Sequence, residues 1–260
     1  MRDGVDEMQY QITADTDVGI VKKTNQDSMC VFHANSEQGE VVMAIVCDGM
    51  GGYVKGELAS ATVIRAFENW FYTELQYELV SPDLKVIAAK WELLLKELNF
   101  KIMEYGKQYQ VSLGTTFTGI LIVGTQYLVV HVGDSRLYHI AENLIQLTED
   151  HTVVAQKIRR REITPEQAEA DVQRNVLTQC IGASTQIMPQ ILFGTAKSGI
   201  YMLCSDGFRH QISEQEIQMT FQKDAMLTQK QMHEQAQRMI NIVKQRQERD
   251  NISVILIRAA

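Results

Sequence analysis

The run Glu40–Cys47, EVVMAIVC, constrains this chain more than any other segment. It is almost unbroken in apolar character, so it reads as a strand buried on both faces. Such a strand needs a layer on each side. The run also delivers an acid: Asp48 follows Cys47, and the chain then breaks into Gly49, Gly51 and Gly52. A strand ending in Asp-Gly can turn, cradle a phosphate or hold a metal. The loop lacks the lysine of a GxxxxGK[ST] phosphate loop and the spacing of a dinucleotide fingerprint.

The rest of the chain supplies the layers. YQITADT (10–16) alternates and SMCVFHA (28–34) is β-prone. Ala59, Val63, Ala66, Phe67, Trp70 and Phe71 follow helical spacing. Ser81-Pro82-Asp83 is a helix start, and Leu84, Ile87, Ala88, Trp91, Leu95, Leu98 and Ile102 continue a second helical stripe. TTFTGILIV and QYLVVHVG, joined at Gly124-Thr125, read as a hairpin, and SRLYHI follows as a strand. Residues 151–175 are polar and helical in character. PQILFGTA and GIYMLCSDG read as a further strand pair. Met232, Ala236, Met239, Ile240 and Val243 mark a last helix, and NISVILIRA a last strand. Helices inserted as pairs between runs of strands predict α+β rather than alternating βαβ. With no repeats, no linker and three prolines, residues 1–260 read as a single domain.

Composition narrows function. A net charge of −7 argues against nucleic acid as the main partner. No apolar run approaches the roughly 20 residues of a membrane span, and MRDGVDEMQY has no apolar signal core. A cytoplasmic protein acting without a membrane, as a monomer, is the expectation. Cys30, Cys47, Cys180 and Cys204 form no CxxC pair and read as reduced, buried residues.

Asp206 ends the run IYMLCS, Asp250 precedes the last strand, and Asp134 joins VVHVG to SRLYHI. With Asp48 these are four acids at strand ends. Gathered together they would repel one another and suffer from burial, a cost that a divalent cation removes. Oxygen-only donors suit Mg²⁺ or Mn²⁺. Each acid alone is equally at home in a turn.

Nine stretches follow one another along the chain: TDVGIVKKTNQDS (16–28), VCDGMGGYVKGELAS (46–60), LGTTFTGILI (113–122), VHVGDSRLYHI (130–140), LTEDHTVV (147–154), EITPEQAEA (162–170), VLTQCIG (176–182), LCSDGF (203–208) and RDNISVILI (249–257). In this order they resemble the metal-dependent PPM/PP2C family of serine/threonine protein phosphatases, in its compact bacterial form, and the match runs from about residue 8 to 258. The resemblance implies a four-layer α-β-β-α sandwich of two antiparallel sheets flanked by helix pairs. It implies hydrolysis of phosphoserine and phosphothreonine in proteins through water activated by two Mn²⁺ or Mg²⁺ ions, with a third, weaker ion possible. Phosphorylated proteins and a cognate serine/threonine kinase would be its partners.

Roles follow position by position as implications of the resemblance. Asp48 matches the acid bridging the two ions, and the Gly49 carbonyl a ligand to one of them. Asp206 and Asp250 match the acids of the other ion, and Asp134 an acid of the third. Asp27 matches the acid that orders water at the centre. Lys22 falls where the family usually has an arginine that grips the substrate phosphate, and Lys23 could share that task. Gln26 stands in place of the family's glutamate, and Met50 where some eukaryotic relatives have a histidine. Lysine for arginine exchanges a planar fork for a point charge. These departures leave an alternative: a PPM fold that binds or regulates with weak or no catalysis. His131 and His139 are expected to be structural, His151 to bond within the fold, and Arg159–Arg161 to form a solvated helix face beside the site.

Overall fold

The computed structural model describes residues 8–51 and 55–260. Residues 52–54 of the Asp48 motif, and residues 1–7 of the expected domain, lie outside the described residues. Among the described residues no helix is long and apolar enough to cross a membrane.

Two five-stranded antiparallel sheets form the centre. The first has the order β1 (Tyr10–Asp17), β12 (Ile252–Ala259), β11 (Gly199–Cys204), β8 (Arg136–Ile140), β9 (Leu144–Gln146). The second has the order β10 (Gln190–Thr195), β7 (Gln126–Val132), β6 (Phe117–Val123), β3 (Gly39–Cys47), β2 (Ser28–Ser36). A small pair, β4 (Gly49–Gly51) and β5 (Leu113–Thr115), extends beyond Asp48.

The β3 run shows why both of its faces are apolar. Val42, Ala44 and Val46 face the other sheet and join Ile12, Leu137, Tyr201, Leu203, Ile255 and Ile257 in the inter-sheet core. Val41, Met43, Ile45 and Cys47 face outward, under α1 (Gly56–Thr73) and α3 (Leu84–Tyr109), where Phe67, Trp70, Trp91 and Leu95 cover them. On the opposite side Met202, Cys204, Val254 and Leu256 of the first sheet lie under α8 (Gln229–Gln245), with Met232, Ala236, Met239, Ile240 and Val243. Period-2 alternation thus places successive residues of one strand in different cores. The result is the expected four-layer sandwich.

One expected pairing is replaced. PQILFGTA and GIYMLCSDG do not pair: β10 pairs with β7 in the second sheet, while β11 lies between β12 and β8 in the first. The strand β10 is an edge strand with none of its residues fully buried, and β11 is wholly buried. Both read as apolar runs, yet the open edge of β7 takes the first, and Ala196 N–H donates to the Thr125 carbonyl (2.6 Å) as the chain leaves it. The Gly124-Thr125 hairpin is formed, with Val123 opposite Gln126. The polar stretch 151–175 contains two short helices, α4 (Val153–Arg159) and α5 (Pro165–Glu169). The four cysteines are free.

Candidate metal centre

Strand ends from both sheets meet along one rim. Asp48 sits between β3 and β4, Asp134 in the turn between β7 and β8, Asp206 at the start of α6 (Asp206–Arg209) after β11, and Asp250 just before β12. Asp27 immediately precedes β2. The peptide at Asp48 is fixed on three counts. Its N–H donates to Thr116 Oγ1 (2.9 Å), and its carbonyl accepts from Thr116 N–H (2.9 Å) and from Thr115 Oγ1 (2.9 Å). Thr116 Oγ1 also bonds Ser135 Oγ (2.8 Å), tying the Asp134 turn to the same threonine. Gly49 has no room for a side chain: an added Cβ would lie 2.4 Å from the carbonyl oxygens of both Gln26 and Gly56.

Asp27 is buried and its Oδ2 accepts from Ser253 Oγ (2.7 Å). Asn251 closes the neighbouring loop: Oδ1 accepts from Gln26 N–H (2.9 Å), and Nδ2 donates to the carbonyls of Val18 (2.9 Å) and Thr24 (3.2 Å). Lys22 lies on the rim with Nζ 3.0 Å from Asp250 Oδ1. Lys23 is exposed beside it in the chain. Gln26 Nε2 reaches Glu57 Oε2 at 3.5 Å. Arg159 and Arg160, both exposed, approach Glu149 (3.5 Å) and Glu162 (3.9 Å) respectively.

The acids strain against one another. Burial pushes Asp48 well above the usual carboxylate range, and Asp27, Asp206, Asp134 and Asp250 add repulsion. Burial likewise pushes Asp27 up to about 7, against hydrogen bonds from Ser253 and Ser205 that lower it and with repulsion from Asp206 and Asp250. Asp134 rises to about 7 through burial and Asp206, with Arg209 opposing. Asp206 Oδ1 is buried and has no hydrogen-bond partner. A buried, unpartnered anionic oxygen among repelling acids is a position that calls for a cation. Among the described residues, no three His, Cys, Asp or Glu side chains converge closely enough to ligate one ion unaided. The fit therefore lies in charge and orphaned oxygens, with carbonyl and water donors needed to complete it. This pattern suits ions that take one or two carboxylates and keep several waters.

Sequence patterns alone did not point to Thr115, Thr116, Asn251 and Ser253. Their signal was available: two adjacent threonines open an otherwise apolar strand, and Asn251 directly follows Asp250. The histidines fall as expected. His131 is buried, with Nε2 donating to the Glu149 carbonyl (3.1 Å) and Nδ1 beside Thr118 Oγ1 (2.9 Å). His151 Nδ1 accepts from Gly133 N–H (3.1 Å), and the His139 ring lies against Tyr201.

Burial, with His151 nearby, lowers His131 to about 3. The unfolded chain takes up this proton near pH 6.5, so the folded state loses stability as pH falls from there toward 3. At pH 5 the loss amounts to about 2 kcal/mol. Urea titrations at pH 7 and pH 5 should show that the change in stability from pH 7 to pH 5 is more favourable in His131→Gln than in the wild type by about 2 kcal/mol. The same pH dependence in both proteins would exclude His131 as the source.

The family model for protein phosphatase 2C matches residues 20–256. The chain belongs to the protein phosphatase 2C family. Among its relatives, the protein phosphatase PhpP of Streptococcus pneumoniae is 33% identical over 255 residues, covering 95% of this chain and 96% of that protein. The serine/threonine phosphatase stp of Listeria monocytogenes is 27% identical over 246 residues, 93% of each. Among solved structures, the serine/threonine phosphatase of S. agalactiae superposes with a TM-score of 0.83 at 27% identity, covering 96% of this chain and 99% of that one. The catalytic domain of the serine/threonine protein phosphatase PstP, in complex with two manganese ions, gives 0.78 at 27% identity, covering 97% and 99%. The sandwich described above is thus the protein phosphatase 2C fold, and its acid rim lies at the ends of the central strands.

Proposed function

We infer that this protein is a metal-dependent serine/threonine protein phosphatase acting on phosphorylated proteins. The observation that carries this is the rim itself: aspartates from five separate chain segments lie near enough to repel one another, and Asp206 Oδ1 is left without a partner. Asp48, the Gly49 carbonyl, Asp206 and Asp250 are the donors for two Mn²⁺ or Mg²⁺ ions, and Asp134 with Asp206 the donors for a weaker third. Bound there, divalent cations supply Lewis-acid charge and a nucleophilic water at neutral pH.

The chain's own groups do the rest. Asp27, held by Ser253, orients water. The Lys22 ammonium, with Lys23 beside it, binds the phosphate as a point charge. No cysteine can serve as nucleophile, because burial pushes Cys30 and Cys204 up to about 12, Cys180 to about 11, and Cys47 well above its ordinary value. Ser205 is buried with its hydroxyl accepting from Ser253 N–H (3.0 Å), so it is structural. The complete set of acids, together with the phosphatase names of the relatives, supports the enzyme over the inactive alternative. A single domain over residues 1–260, monomeric action in the cytoplasm and opposition to a serine/threonine kinase complete this reading.

Phosphate release from a phosphothreonine peptide is the test. Release should require Mn²⁺ or Mg²⁺, stop in EDTA and return with excess metal. Turnover untouched by EDTA, or none at millimolar Mn²⁺, would reject the proposal. Gln26→Glu adds a carboxylate next to Glu57 and the acid rim. It should tighten Mn²⁺ binding several-fold in calorimetry; unchanged affinity would show that Gln26 is no brake.

A further inference from the structure

The loop that carries Asp250 and the helix that begins at Asp206 are joined by two side chains that the mechanism has not used. Glu248 is only 5% exposed. Its Oε1 accepts from the N–H groups of Arg249 (2.8 Å) and Asp250 (3.0 Å), so the carboxylate caps the turn that presents Asp250. Its Oε2 makes no hydrogen bond and lies 3.6 Å from His210 Nδ1. On the other side of that ring, His210 Nε2 lies 3.4 Å from Asp206 Oδ2. The imidazole therefore meets a carboxylate oxygen at each nitrogen, one from each acid-bearing segment. The two segments also touch directly: a Cβ on Gly207 would lie 2.1 Å from the Asn251 carbonyl oxygen and 3.3 Å from Asp250 Cβ.

We propose that His210 and Glu248 are positioning residues that set the spacing of Asp206 and Asp250 and turn the Asp206 carboxylate so that Oδ1 faces the ion. The inference rests on the phosphatase reading above. Neither residue touches substrate. Each acts through an aspartate, as outer-shell partners of metal-ligating carboxylates do, and their loss typically lowers metal affinity or activity about 10–100-fold. Oδ2 of Asp206 is the oxygen His210 holds, which leaves Oδ1, the orphaned one, for the metal.

Calorimetric titration of the metal-free protein with Mn²⁺ tests this, alongside peptide kinetics at fixed Mn²⁺. The His210 side chain is 28% exposed, so His210→Ala should still fold cooperatively, with a melting temperature lowered modestly because the buried Glu248 Oε2 loses the ring beside it. It should bind Mn²⁺ about tenfold or more weakly. At limiting Mn²⁺ its kcat should fall while KM for the peptide holds. Glu248→Gln keeps the acceptor for the two backbone N–H groups but removes the charge facing His210. It should show the same metal defect, and the double variant should be no worse than His210→Ala alone. Wild-type Mn²⁺ affinity in His210→Ala, or additive losses in the double variant, would overturn the inference. If the wild type itself binds no Mn²⁺, the phosphatase reading fails instead, so the two failures are distinguishable.

Discussion

Asp48→Asn should leave a folded protein without phosphatase activity and, in EDTA, one that melts at a higher temperature than wild type. Both outcomes come from the same carboxylate. For catalysis, Asp48 is the acid proposed to bridge two ions, so losing its charge should lower kcat/KM by roughly 10³-fold or more, beyond the loss of a single electrostatic donor. For stability, it is a buried acid surrounded by Asp27, Asp206, Asp134 and Asp250. A carboxyl whose folded pKa is raised stabilises fully below its unfolded value near 4, and that contribution is lost as pH rises through the folded value. In the metal-free protein Asp48, with Asp27 and Asp134, both raised to about 7, should therefore withdraw stability as pH rises from 4 toward 8, opposite in sign to the contribution of His131. Asparagine removes one charge from this repulsion, so the gain should be larger at pH 8 than at pH 5. Thermal melts in EDTA at both pH values, beside peptide assays in Mn²⁺, check it. Retained activity would remove Asp48 from the centre, and a lower melting temperature at pH 8 would contradict the repulsion.

Asp150→Ala should cost about 3–5 kcal/mol, the range for breaking a buried pair by removing one partner. Asp150 receives Arg136 on two prongs, Nε at 2.8 Å and Nη2 at 2.7 Å. Arg209 Nη2 lies 3.6 Å away. Burial alone would raise the Asp150 pKa; Arg136 and Arg209 more than offset it and hold it below the usual range. Alanine would leave Arg136 charged and poorly compensated. Since domains of this kind are stable by only about 5–15 kcal/mol, the loss should be plain in urea. It should also reach the site, because Arg209 donates to the Asp134 carbonyl (3.1 Å). Replacing both members, Arg136→Met with Asp150→Leu, should recover much of the stability. A cost under about 1 kcal/mol for Asp150→Ala would place the pair among ordinary surface bridges.

Much of this was legible in the chain itself. Strands such as β3 and β12 announce themselves because both faces are buried, and the acids at their ends stand out against the apolar runs they close. Partner choice was not legible. The β10 and β11 segments are similar in composition, and only the open edge of β7 decides that they part. The supports of the acids were equally hidden. Glu248 and His210 are charged or polar residues in polar surroundings along the sequence, and become a bridge only when α6 meets the turn before β12. Lys22 was legible as a basic residue at the expected place, but its 3.0 Å approach to Asp250 joins positions 228 apart in number, which no local pattern encodes.

The pairing of β1 with β12 has a consequence for how the enzyme comes into being. Tyr10 stands opposite Ala259, and Asp17 opposite Ile252, so the first strand of this domain waits for the last. During synthesis the aspartates at 27, 48, 134 and 206 are all made before Asp250 and β12 emerge. Until then the first sheet lacks the strand between β1 and β11, and Gln26 lacks the Asn251 side chain that fixes it. The growing polypeptide thus carries most of the acids but no assembled centre. On the proposed assignment of Asp250 to the centre, phosphatase activity should switch on only once β12 has been made and has paired with β1.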